Sequence, residues 1–275
     1  MTTYIQAGDL SVRFAPDFTG VSLFDLRPSL INGLLAYLPL INHPHDLMGR
    51  RGTLVNGGQF TIVDTILRKA YRNQAATLNY IRVNRIPFPA SGPWSVNFWT
   101  TVRAITANTF FWGSRSSGPN QGTNCRILST TQLRVTHAGV GDFDFTYSLT
   151  ADIPLMLTFV QYEATTIALY VNGYFATSTT GAGFPLTSTG DFAIGATLTN
   201  SSPDAASYID ADIGHFSVWA RPLNKAEVLD HYIQTKRWLP MQGLPIFVPV
   251  PVAAAAVAAV GHGRLLSRER NRLVI

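Results

Sequence analysis

The stretch from Asp152 to Thr179, DIPLMLTFVQYEATTIALYVNGYFATST, decides the fold class. It predicts three consecutive antiparallel strands. Leu155 to Tyr162 is apolar at successive positions, as in a strand buried on both faces. Glu163 to Thr166 supplies a turn. Ile167, Leu169 and Val171 then alternate with Ala168 and Tyr170, the period of a half-buried strand. Asn172-Gly173 follows. Both central residues of a type I′ turn need φ > 0, and this dipeptide adopts that conformation readily. Tyr174 to Thr179 is the returning strand.

Outward from this stretch the pattern continues. Gly33 to Leu40, Thr77 to Val83, Trp94 to Ala104 and Thr109 to Gly113 read as strands. Arg126 to Leu128 with Gln132 to Thr136 reads as a hairpin. Asp142 to Ser148 alternates strictly, with Phe143, Phe145 and Tyr147 on one side and Asp142, Asp144 and Thr146 on the other. Asp191 to Ala196 and Tyr208 to Ala220 complete the series. Gly52-Thr53-Leu54 and Asn56-Gly57-Gly58 carry turn chemistry, and Ser114 to Asn124 is expected to be a polar loop. Asn224-Lys225-Ala226-Glu227 is a capping box, so a short helix from Lys225 to about Lys236 is expected, with Val228, Leu229, Tyr232 and Ile233 as its apolar face.

Composition agrees with an all-β chain. Apolar residues make up 46% and charged residues 13%, and 22 Gly with 16 Pro suit many short strands joined by turns. The net charge is +5. Arg264, Arg268, Arg270 and Arg272 less Glu269 account for +3 of it, so the body is near +2 and carries no nucleic-acid stripe. Cys125 is the single cysteine, which excludes an intramolecular disulfide and fits a small buried hydrophobe. Residues 1–20 lack a basic start and an apolar core, so no signal peptide is expected and synthesis in a cytoplasm is.

Three regions follow: an N-terminal arm or edge strands (1–32), a two-sheet antiparallel sandwich (33–238), and an extended Pro/Ala-rich tail with a basic end (239–275). Pro245, Pro249 and Pro251 force the start of the tail into an extended chain. Those prolines argue against a membrane span over the apolar run from Leu244 to Val260.

The ordered series GLLAYLPL, the Gly52-Thr53-Leu54 turn, TLNYIRV, WSVNFWTTV, LYVNG, DFAIGA and YIDADIGHFSVWARPLNKAEVLDHY resembles a laminin-G-like jelly roll of the concanavalin A-like lectin/glucanase superfamily. In particular Tyr170 to Gly173, Ile194-Gly195, Asp210 to Trp219, Arg221-Pro222-Leu223 and Asn224 to Glu227 fall in the family's order. The resemblance covers about residues 33–236. It implies two packed antiparallel sheets and no particular activity, since the fold serves lectins, hydrolases and adaptors.

Each candidate for chemistry has a plainer alternative. Glycoside hydrolysis needs two carboxylates flanking the bond. The superfamily's hydrolases carry a Glu-x-Asp-x-x-Glu strand, and Glu163, Glu227 and Glu269 do not form one, so no catalytic residue is assigned. The pairs Asp142/Asp144 and Asp210/Asp212 are the candidates for Ca²⁺, the one cofactor left open, against a solvent-facing polar stripe, which is favoured. His43, His45 and Asp46 read as a polar loop. Trp94, Trp99, Trp112 and Trp219 lie in strands and are expected in the core. Trp112, beside Gly113 and Arg115, is nevertheless the residue singled out with Arg115 for ligand contact.

The main functional expectation is a non-enzymatic structural or adhesive protein of a bacteriophage virion, such as a capsid decoration, head-fibre or tail component. Its jelly roll would be a rigid block, and Phe247, Val248, Val250, Val252, Arg264, Arg268, Arg270 and Arg272 would bind neighbouring copies or other virion proteins. The alternative is a carbohydrate-binding, lectin-like module recognising host-surface glycans. Neither reading calls for nucleic acid.

Overall fold

The computed structural model describes residues 27–40, 44, 46–49, 52–56, 59–62, 69–86, 88–89, 91–116, 121–186, 190–200, 202–204 and 207–238. Helix α1 (Pro28–Ile31) is followed by strands β1 (Leu34–Leu38), β2 (Gly52–Val55), β3 (Gln59–Ile62), β4 (Lys69–Asn73) and β5 (Tyr80–Val83). Then come β6 (Trp94–Ala104), β7 (Thr109–Ser116), β8 (Gln121–Ser129), β9 (Gln132–His137) and β10 (Gly141–Thr146). The expected triplet is β11 (Pro154–Glu163), β12 (Thr166–Val171) and β13 (Tyr174–Thr180). The chain closes with β14 (Phe192–Ile194), β15 (Leu198–Thr199), β16 (Ser202–Pro203), β17 (Asp210–Trp219) and helix α2 (Lys225–Trp238).

The strands form two sheets. The first runs β13-β12-β11-β6-β17-β4-β3, with β1 also paired to β17; the second runs β10-β9-β8-β7-β14-β5-β2, with β15 and β16 attached beside β7. Nearly every pairing is antiparallel; β15 meets β7 in parallel. This is a jelly-roll sandwich. Phe98, Phe111, Trp112, Phe143, Phe145, Phe159 and Phe216 fill the space between the sheets.

The doubly apolar strand is explained by what covers its other side. Leu157 and Phe159 of β11 face the second sheet, while Met156 and Val160 lie in clusters with residues of α2, beside Tyr232 and Val228 respectively. Trp99 is stacked on Tyr232 at 5.5 Å and donates from Nε1 to Thr235 Oγ1 at 2.9 Å. Asn172 and Gly173 both have positive φ, 52° and 84°, as the hairpin demands. The capping box forms in both directions: Glu227 N donates to Asn224 Oδ1 at 3.0 Å, and Asn224 N donates to Glu227 Oε2 at 2.9 Å.

Several expectations need correction. Ile233 is 39% exposed; the buried face of α2 runs through Val228, His231, Tyr232 and Thr235, an i, i+3, i+4, i+7 series from the same first residue. Gly52 is not in a turn. It pairs with Val83 in β2, and a side chain there would collide with the Pro44 carbonyl. Ser114 to Asn124 is not a loop throughout. Ser114 pairs with Thr123 as β7 continues into β8, and Ser114 Oγ donates to Gly190 O at 3.3 Å. Residues 59–62 and 69–73, not assigned from sequence, add β3 and β4 to the first sheet.

The boundary near residue 32 is also packed. Leu30 has no exposed surface, its carbonyl accepts from Trp219 Nε1 at 2.7 Å, and Arg221 donates to the Asn32 carbonyl while ion-pairing with Glu227. Residues 1–26 and 239–275 lie outside the described residues, and with them fall Phe247, Val248, Val250, Val252, Arg264, Arg268, Arg270 and Arg272. Among the described residues no helix is long and apolar enough to cross a membrane.

Candidate functional site

Helix α2 covers part of the first sheet's outer face, so the second sheet supplies the open surface. Side chains alternate along its strands. Thr123, Cys125 and Ile127 of β8 and Leu133, Val135 and His137 of β9 are buried, and Phe143 and Phe145 of β10 join them inside. Arg126, Arg134, Thr136, Asp142 and Asp144 therefore face outward, and Asn124, on the same side, is itself buried beside Thr197. Strand register sets them in two rows. One is Asp144, Arg134, Arg126 and Phe110; the other is Asp142, Thr136, Asn124 and Gly113.

Beyond β7 the same face is roofed by residues 196–200, 202–204 and 207–208, whose Ala196, Leu198 and Tyr208 cluster with Tyr80 and Ala193. A step results, with the charged rows on the open side and the roof on the other. Gly113 sits at the foot of the step. A Cβ there would come within 2.6 Å of Thr197 Oγ1 and 2.5 Å of Asn124 Cβ, so only glycine lets the roof approach the sheet.

The charges are unequally satisfied. Arg134 donates from Nη1 to Asp142 at 2.6 Å and from Nη2 to Asp144 at 2.7 Å, and its Nε is also paired with Asp144. Thr136 Oγ1 donates to the second oxygen of Asp142 at 2.6 Å. The hydrogen bond to Asp144 leads in raising Arg134 above the ordinary arginine value. Arg126, directly across from Arg134, has no ion pair within 4.0 Å among the described residues. Its guanidinium lies 5.6 Å from the centre of the Phe110 ring, and its Nε is sealed from solvent without an acceptor. Burial, then the neighbouring Arg134, lowers its pKa, while Asp142 and Asp144 act the other way.

This surface can hold a polyhydroxylated or anionic ligand. It offers a guanidinium, two carboxylates and a threonine hydroxyl, while the Phe110 ring beneath Arg126 is itself buried. It is poorly equipped for hydrolysis. Its two carboxylates are both tied to one arginine instead of facing each other across a bond.

The residues singled out from sequence are dispersed. Trp112 has no exposed surface. It stacks between the sheets on Phe88 and Phe192 at 5.6 Å and 5.9 Å, so no ligand reaches it. Arg115 lies on the opposite side of β7, near enough to bear on the charge of Arg126. Asp142 and Asp144 belong to the open face, where a cation would have to displace Arg134. Asp212 is fully buried on the first sheet and bridges Arg72 and Arg103. Asp210 is half-buried at the start of the same strand. The four carboxylates thus sit on two sheets, and the described residues contain no metal-holding group of three or more His, Cys, Asp or Glu. Asp46 accepts from the amides of Tyr37 and Met48 and caps its own loop, while His43 and His45 lie outside the described residues.

A second group of unpartnered polar atoms is internal. Trp94 Nε1, Trp112 Nε1, Thr123 Oγ1, His137 Nε2 and Gln161 Oε1 are sealed from solvent, so no saccharide reaches them without opening the sandwich.

Comparison with known proteins now bears on the assignment. A laminin-G-type family model described as concanavalin A-like lectin/glucanases superfamily matches residues 76–229. The chain belongs to this superfamily. The match contains the paired strands β5 to β14 that build both the core and the open face. No curated protein sequence matches.

Among solved structures, the binding domain of Paraclostridial Mosquitocidal Protein 1 is similar with a TM-score of 0.58 and 18% identity over 74% of this chain and 52% of that one. Domain 4 of AbnA, a GH43 extracellular arabinanase from Geobacillus stearothermophilus solved with arabinotriose, gives 0.53 and 18% over 72% of this chain and 97% of that domain. The binding domain of botulinum neurotoxin DC in complex with SialylT gives 0.54 and 12%, covering 74% and 51%. The chain spans about half the length of the two toxin binding domains. At these identities the likeness is one of fold. The two toxin units are described as binding domains, and the arabinanase domain was solved with a bound oligosaccharide.

Proposed function

We propose that this chain is a carbohydrate-binding module whose ligand lies on the open face of the second sheet, over Arg126, Arg134, Thr136, Asp142 and Asp144. The supporting observation is that face itself. It is the outer sheet surface left beside the roof, and it concentrates hydrogen-bonding side chains around a guanidinium that has no ion pair among the described residues. The arabinanase domain supports the reading further, because this chain covers nearly its whole length and that domain was solved with an oligosaccharide. Binding without cleavage follows from the way Arg134 holds both carboxylates.

The virion reading rested on the terminal arms, which lie outside the described residues, and the compared proteins favour the glycan reading over it. A glycan array probed with the full chain tests the proposal. Selective binding to a subset of glycans, with every bound glycan recovered intact, is expected. Failure to retain any glycan, or cleavage of one, overturns it.

A further inference from the structure

The open face carries an electrostatic conflict. Arg126 and Arg134 are directly opposed across β8 and β9. Like charges in that position repel and destabilise a sheet. Arg134 escapes the cost because Asp142 and Asp144 surround it. All four carboxylate oxygens already accept, three from Arg134 and one from Thr136, and neither carboxylate is bonded to Arg126. On its other flank Arg126 meets the Phe110 ring, which orients a cation and cannot neutralise it. The result is a held, partly desolvated guanidinium with no ion pair among the described residues; its Nε is sealed from solvent, so a ligand would meet it through its Nη donors.

A planar guanidinium presents paired donors that match a carboxylate. We propose that Arg126 is the anion subsite of the glycan face and that the preferred ligand is an acidic saccharide, one bearing a ring carboxylate. The carboxylate of the ligand takes the place left open between the two arginines. The carboxylates of Asp142 and Asp144 then meet hydroxyl groups of the same or the next sugar. This inference rests on the carbohydrate reading and adds the class of sugar and the residue that selects it.

The test compares matched neutral, carboxylated and sulfated oligosaccharides against the wild-type chain and the variants Arg126→Gln and Arg126→Lys. Arg126→Gln keeps most of the stem over Phe110 and removes the charge. The expected result is tighter binding of the carboxylated member of each pair, weakened about 10- to 100-fold by Arg126→Gln, the scale of one lost charge-assisted pair. Arg126→Lys is expected to recover part of the loss, since it keeps the charge without the fork. The melting temperature of Arg126→Gln is expected to equal or exceed that of the wild type, because the repulsion is relieved.

Equal affinity for neutral and carboxylated partners, or a preference for the sulfated one, overturns the acidic-sugar assignment while leaving the carbohydrate reading standing. So does an Arg126→Gln variant that binds as the wild type does. A lower melting temperature together with unchanged affinity marks Arg126 as structural and overturns the subsite. Absence of binding to every oligosaccharide overturns both proposals.

Discussion

Replacing Asp212 with alanine is expected to be among the most destabilising single changes away from the core. Asp212 has no exposed surface, and on its strand Ala211 and Ile213 point into the inter-sheet core. One oxygen accepts from Arg72 Nε at 2.5 Å and the other from Arg103 Nε at 3.1 Å and Nη2 at 2.5 Å. Both arginine side chains are about three-quarters buried, at 27% and 24% exposed, so water compensates them poorly. Arg103 also reaches Asp152, which is 65% exposed and contributes little. Alanine therefore leaves Arg72 without a counter-charge among the described residues and Arg103 with a weak one. Breaking a buried pair from one side costs about 3–5 kcal/mol. For a domain of this size that is roughly a 10 °C fall in melting temperature. Asparagine keeps the shape and two acceptor lone pairs, so Asp212→Asn should fall between. Equilibrium denaturation with urea, read by tryptophan fluorescence from Trp94, Trp99, Trp112 and Trp219, gives the free energies. A thermal midpoint for Asp212→Ala within 2 °C of wild type, roughly 0.5–1 kcal/mol by the same scaling, would refute the account of this carboxylate.

Two further outcomes follow from the packing. His137, His215 and His231 are buried and uncharged, with pKa values lowered chiefly by burial to about 4, about 3 and about 4. Each folded value lies below the unfolded one near 6.5, so the stabilisation is complete above that pH and is lost as pH falls; near pH 5 stability should drop by about 4 kcal/mol per pH unit, and equal urea midpoints at pH 7 and pH 5 would contradict this. Gly113→Ala drives a Cβ against Asn124 and Thr197, so it should cost about 1–3 kcal/mol and loosen the roof over the second sheet, which hydrogen exchange at Leu198 and Thr199 would report.

The elements legible in sequence were those with local causes. Asn172-Gly173 announces its turn through φ, and Asn224 with Glu227 announces the helix start through two reciprocal bonds. The alternation of Phe143 and Phe145 with Asp142 and Asp144 gave the faces of β10 because each face has one environment. Harder cases turned on distant partners. Gly52 read as a turn residue and Gly113 as an unremarkable strand position, yet each is glycine because another segment presses on the strand. Ser114 and Thr123 read as loop residues, yet they pair across a hairpin. Ile233 lay on an apolar series that His231 and Thr235 displaced, because Trp99, Trp219 and Met156 offer those two polar groups specific neighbours. Trp112 and Arg115 looked adjacent, but three residues apart on a strand puts them on opposite faces. Arg126 went unnoticed. Its significance depends on the registers that place it beside Arg134 and Phe110, and no spacing along the chain encodes them.

Backbone amide shifts followed by NMR during titration with the oligosaccharide selected on the array test the central claim most directly. The account predicts saturable shifts at Phe110, Asn124 to Arg126, Arg134 to Thr136 and Asp142 to Asp144, with the sugar chemically unchanged at the end. Shifts confined to another surface, or the appearance of cleaved sugar, would contradict it.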